Sequence, residues 1–160
     1  MHVSQKYSCI RNFLRQSGEA VVALSGGVDS SFLLAIAREE IKGRLLAFTI
    51  DSPYIPDAEI RAARDFCGTL GLSHRILRMP SVPEEILNNP SDRCYHCKKH
   101  IFSLILAEAR KEGIAHVFDG TNADETGEYR PGLRALRELG IESPLDECGF
   151  SKNDIRMGAR

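Results

Sequence analysis

Apolar positions along this chain follow two rhythms. Short unbroken apolar runs alternate with longer stretches in which apolar residues recur every three or four positions. The runs lie at 20–24 (AVVAL), 44–50 (RLLAFTI), 73–77, 115–119 (AHVFD) and 141–143, and read as buried strands. The helical stretches lie at 28–41, 56–70, 95–112 and 130–139. Pro56 suits a first helical turn, and Gly71, Gly113 and Gly140 follow helix ends. Residues 79–90 hold three prolines and read as a loop or short helix. Ahead of the first strand, Cys9, Ile10, Phe13 and Leu14 share one face of an amphipathic helix. Near the end, Ser151 and Asp154 have the spacing that opens a helix. Strands separated by helices predict an α/β fold: a doubly wound, mainly parallel, five-stranded sheet covered on both faces. No linker or repeat divides the chain, so residues 1–160 read as a single domain.

Composition adds exclusions. A hydrophobic share of 42% and a charged share of 27% are ordinary for a soluble protein with a real core. Twenty-one basic and 22 acidic residues leave a net charge of −1, which argues against nucleic acid as the default partner. No window has the apolar length of a membrane span, and the N-terminal stretch lacks the pattern of a signal peptide. Five cysteines without an export signal predict reduced thiols in the cytoplasm.

The candidate chemistry begins where the first strand ends. Leu24, Ser25, Gly26, Gly27, Val28, Asp29, Ser30 and Ser31 join a strand to a helix through a glycine- and hydroxyl-rich turn. Glycines let the backbone approach phosphate closely, and the helix start offers unpaired N–H groups. Asp29 is costly beside phosphate as a bare anion, so it implies Mg²⁺ between them. No lysine follows the glycines, so this is not a Walker A loop. Ligands of open α/β sheets bind at the carboxyl ends of strands, where Asp51-Ser52-Pro53 and Gly120–Glu125 also fall. Gly120 and Thr121 could approach an adenosine. Asp124 and Glu125 could join Asp29 around Mg²⁺, or cap a helix.

Cys94-Tyr95-His96-Cys97 is a CxxC flanked by Arg93 and Lys98. The pair reads as a metal or iron–sulfur half-site, a redox pair, or small apolar filler. Neighbouring cations and a helix start would lower the thiol pKa values. Cys67 and Cys9 read as core fillers, whereas Cys148 lies in a polar loop. Arg130 is suited to an anionic substrate or to an ion pair with Glu128. Lys152 could reach nucleotide phosphates and neutralise leaving pyrophosphate.

SGGVDSS after an apolar strand resembles the PP-loop of the ATP pyrophosphatase superfamily. TIDSPYIP (49–56), NPSDRCYHCKK (89–99), DGTNADE (119–125), YRPG (129–132), ELGIESPL (138–145) and SKNDIR (151–156) are similar to its LarE branch, ATP-dependent sulfur transferases of nickel-pincer nucleotide cofactor synthesis. The resemblance implies that ATP and Mg²⁺ are used to adenylate a substrate carboxylate, with release of pyrophosphate. A cysteine thiolate or an iron–sulfur cluster, the CxxC contributing to the latter, then supplies sulfur. It also implies that the Ile50 backbone meets adenine. The expected partners are ATP and an anionic, carboxylate-bearing, nucleotide-like substrate, with a homo-oligomer left open. Members of the branch continue past the KxxIR helix to a third cysteine and basic residues for substrate phosphate. Here no cysteine follows Cys148 and the sequence stops at Arg160, which implies adenylation without completed sulfur transfer by this chain alone. Two other enzyme classes of the superfamily, tRNA-thiolating and amide-forming, remain alternatives, as does a non-catalytic ATP-binding module.

Overall fold

The structure, a computed structural model, describes residues 1–126 and 130–160. Among these, four parallel strands form one sheet: β1 (Ala20–Ala23), β2 (Leu45–Asp51), β3 (Ser73–Arg78) and β4 (Val117–Phe118). Their order is β3-β2-β1-β4. The chain steps outward through β2 and β3, then crosses back to set β4 on the other side of β1. That reversal opens a crevice at the carboxyl ends of β1 and β4, where a doubly wound sheet takes its ligand.

Helices cover both faces. They are α1 (Val3–Ser17), α2 (Val28–Glu40), α3 (Asp57–Leu70), α4 (Glu84–Leu87), α5 (Arg93–Lys111), α6 (Pro131–Glu138), α7 (Pro144–Glu147) and α8 (Lys152–Gly158). β1 shows why its run is continuously apolar. Ala20 and Val22 enter the core shared with α1, α2 and α8, and Val21 enters the core shared with α5 and α6. A strand buried on both faces has no solvent side on which to place polar residues.

The expected fifth strand is reduced to one parallel bridge, Phe118 with Glu142. Ile141 is the only large apolar residue of that segment, and Pro144 then starts α7 without an N–H to continue a ladder. Pro56 caps α3 from outside rather than entering its first turn. α5 starts at Arg93, which brings both CxxC cysteines inside the helix.

The prediction of reduced thiols fails for one pair. Cys9 and Cys148 form a disulfide across a sequence separation of 139. Cys148, in the segment read as a polar loop, is fully buried. The turn after α7 folds beneath the apolar face of α1 and brings the two together. Cys67, Cys94 and Cys97 are free.

Candidate active site at the carboxyl edge of the sheet

The turn after β1 is closed on itself. The Ser25 N–H donates to Ser30 Oγ at 3.2 Å, and the Ser25 and Ser30 hydroxyls lie 3.1 Å apart. Gly26 has φ +82°, and a Cβ there would stand 2.5 Å from the Glu59 carbonyl oxygen of α3. Glycine is therefore required both for conformation and for space. Gly27 caps α2 with extended backbone, leaving the first N–H groups of a 13-residue helix facing the turn.

The loop after β4 presses on that same first turn. A Cβ at Gly120 would stand 2.8 Å from the Ser30 amide nitrogen. Asp119, buried, accepts hydrogen bonds from the Thr121 and Ser143 hydroxyls, each at 2.5 Å. Asn122 donates through Nδ2 to Asp29 Oδ2 at 3.1 Å and to Glu125 Oε1 at 3.0 Å. Lys152 Nζ donates to the other Asp29 oxygen at 2.6 Å, while its backbone N–H donates to Asp124 Oδ2 at 2.9 Å. Asp29 thus draws together α2, the β4 loop and the start of α8.

These elements wall a cavity of about 540 Å³. Of the residues singled out in the sequence, Leu24, Ser25, Asp29, Ser30, Ile50, Gly120, Thr121 and Glu125 line it, and Gly26 and Gly27 do not. Cys94 and Cys97 line it too, together with Arg93 and Lys98. Val28 and Ser31 line a separate groove beside Tyr7 and Phe32. Asp124 stays outside the cavity lining, as a partner of the Lys152 amide. Arg130 is exposed just before α6 and is not among the lining residues. Glu128 and Tyr129, named with Arg130 in the sequence reading, lie outside the described residues.

Burial pushes the Cys97 thiol up, against the opposing pull of the Lys98 and Arg93 charges. The sequence reading expected those cations to prevail; desolvation outweighs them. Cys67, buried in the core, is pushed up to about 11 by desolvation.

Some positioning residues escaped the sequence reading. The Thr49 hydroxyl donates to the Leu24 carbonyl at 2.7 Å and so accepts from His74 Nε2 at 2.8 Å. This line runs across three strands to the base of the phosphate turn. Burial, then the charge of Arg64, lowers the His74 pKa and favours the neutral ring. Asn122 likewise gave no signal beyond its place in a polar loop.

A family model described as asparagine synthase matches residues 7–128, which span the phosphate turn, the CxxC and the β4 loop. The chain belongs to the asparagine synthase family of PP-loop domains. Within it, the chain is 32% identical over 149 residues to pyridinium-3,5-bisthiocarboxylic acid mononucleotide synthase of Lactiplantibacillus plantarum, covering 92% of this chain and 54% of that protein. The chain spans about half the length of the curated relatives it matches. In fold it is similar to U34-tRNA thiolase NcsA from Methanococcus maripaludis with its [4Fe-4S] cluster: TM-score 0.74, 19% identity, 98% of this chain and 63% of that one. It is also similar to NH3-dependent NAD synthetase from Campylobacter jejuni: TM-score 0.70, 18% identity, 99% of this chain and 72% of that one.

The donor set fits a magnesium ion held mainly by nucleotide. Asp29 is a hard oxygen donor at the phosphate turn, and Mg²⁺ commonly takes one or two carboxylates plus substrate phosphates. A resident iron–sulfur cluster does not fit the described residues. They bring no group of three His, Cys, Asp or Glu together, and the CxxC supplies two thiols.

Proposed function

We propose that this chain adenylates a carboxylate of an anionic, nucleotide-like acceptor and presents it for sulfur transfer. In this reading a carboxylate oxygen attacks the α-phosphorus of ATP, the bond to the β-phosphate bridge breaks, and pyrophosphate leaves. Backbone N–H groups of the 25–30 turn and the Ser25 and Ser30 hydroxyls hold the phosphates. Lys152, now on Asp29, would neutralise the leaving group. Asp29 would hold Mg²⁺, which when bound offsets phosphate charge. The acyl-adenylate is then a good electrophile, and attack by a sulfur nucleophile displaces AMP.

One observation carries the reading: the CxxC thiols line the same cavity as the phosphate turn. Adenylation alone needs no thiol beside the nucleotide. The relative is named for making a pyridinium mononucleotide that bears two thiocarboxylic acids, and the matching carboxylated pyridinium mononucleotide is the acceptor this reading takes.

The test is pyrophosphate exchange into ATP with three acceptors offered separately: a carboxylated pyridinium mononucleotide, tRNA, and a carboxylate with ammonia. Exchange with the mononucleotide, retained in Cys94→Ser and Cys97→Ser, is the expected result. Exchange that responds only to tRNA moves the chain to RNA thiolation. Exchange only in the third mixture moves it to amide formation. ATP binding with no exchange in any mixture leaves a binding module.

A further inference from the structure

Two adjacent lysines of α5 serve different ends. Lys99 is spoken for, donating to Glu138 Oε2 of α6 at 2.6 Å and to the Tyr95 hydroxyl at 3.1 Å. Lys98 faces the cavity instead. Its stem rests on α6, where Gly132 leaves so little room that a Cβ would stand 3.1 Å from Lys98 Cγ. Its ammonium lies 5.6 Å from the centre of the Phe102 ring. Five residues earlier, the Arg93 guanidinium lies 5.1 Å from the centre of the Tyr54 ring and donates to Asn89 Oδ1 at 3.3 Å. None of these groups neutralises a positive charge.

The cavity's own carboxylates do not neutralise them either. Asp29 is paired with Lys152, Asp119 holds two hydroxyls, and Glu125 holds Asn122. Glu59, the fourth, also lines the cavity and forms no ion pair with either cation. Among the described residues, neither Lys98 nor Arg93 has a carboxylate within ion-pair distance. Two cations without ion-pair partners thus stand beside Cys94, in a recess walled by Ile101, Phe102 and Ile105.

We propose that Lys98 and Arg93 form an oxyanion subsite beside Cys94, which holds an anionic group of the acceptor other than the carboxylate being adenylated. The subsite is read from this cavity; its occupant rests on the adenylation reading above. The cavity then selects acceptors carrying at least two anionic groups, one set toward the nucleotide and one toward α5. Arginine and lysine suit carboxylate and phosphate alike.

The test uses Cys94 as a reporter. Its alkylation by anionic iodoacetate is compared with alkylation by neutral iodoacetamide, followed by peptide mass. A local anion site raises the ratio of the two rates. Lys98→Ala should lower that ratio by about threefold or more, and Lys98→Arg should restore it. Added salt should lower it in the parent. Melting temperatures, with Lys98→Gln as a second variant, show whether each protein is folded. A ratio unchanged in Lys98→Ala and in the Lys98→Ala/Arg93→Ala double variant overturns the subsite. Protection of Cys94 then separates the two anions. Nicotinate mononucleotide and inorganic phosphate, without the dephosphorylated nucleoside, mark a phosphate; protection by the nucleoside as well marks a carboxylate. A charge-dependent ratio with no protection by any of the three supports the subsite and counts against the acceptor proposed above.

Discussion

Asp29 is the residue on which the site converges. Its two oxygens take Lys152 and Asn122, from elements far apart in the sequence. Asp29→Asn keeps the shape and removes the charge. ATP affinity measured by calorimetry should fall about tenfold or more with Mg²⁺ present, and far less with Mg²⁺ chelated, because hydrogen bonds and contacts to an ionised group are the strong ones. Equal losses in both conditions would show that Asp29 acts only as a structural anchor. Asp29 was legible in the sequence because the turn carries its own local chemistry. Asn122 and His74 were not, since each acquires its role from a partner on another strand or helix. The thiol pKa values show the same limit. Flanking cations are visible in sequence, but the burial that outweighs them at Cys97 is not.

At the scale of elements, two contacts set the geometry. The first is the β4 loop against the start of α2. Gly120→Ala puts a methyl group against the Ser30 backbone, where no flexible side chain can yield. We expect a loss of about 1–3 kcal/mol in urea unfolding, with weaker ATP binding because the phosphate turn shifts as well. The second joins α1 to α8 through Lys6 Nζ and Asp154 Oδ2, 2.6 Å apart. The Lys6 hydrogen bond, followed by that of the Ser151 backbone, holds Asp154 down at about 2 against an ordinary 3.8. A depressed carboxylate contributes stability that is complete above the unfolded value and is lost as pH falls through the folded one. The parent should therefore lose stability between about pH 4 and pH 2 more steeply than Asp154→Asn does, as followed by chemical unfolding at each pH. Parallel curves would remove Asp154 from the acid response. Element types were legible from apolar period, and α2, α3 and α5 lie within a few residues of expectation. The fifth strand was not, because a three-residue run cannot show how much partner backbone is left to pair with it.

At the scale of the molecule, the site belongs to no single element. The phosphate turn, the β4 loop, α5 and α8 come together only in the folded chain. ATP with Mg²⁺ should consequently bind the native state alone. At a hundred times the dissociation constant this adds about 2.7 kcal/mol, or about 5–10 °C in melting temperature. No shift under saturating nucleotide would mean that the described site does not bind it. The parallel sheet and its covered faces were legible because strands alternating with helices allow few other arrangements. The pairing of Cys9 with Cys148 was not, since nothing local relates positions 139 apart.

That bond makes a closed ring of most of the chain. Residues 9–148 form a loop of covalent bonds, with α8 leaving it as a tail beyond Cys148. One protease cut anywhere inside the ring, for instance in the proline-punctuated 79–90 segment, opens the ring without dividing the molecule. Such nicked protein should migrate as one species on a denaturing gel without reductant and as two pieces with it. The two halves remain tethered at the far side of the sheet from the cut. Unfolded and diluted, they should refold at a rate independent of concentration until the tether is reduced.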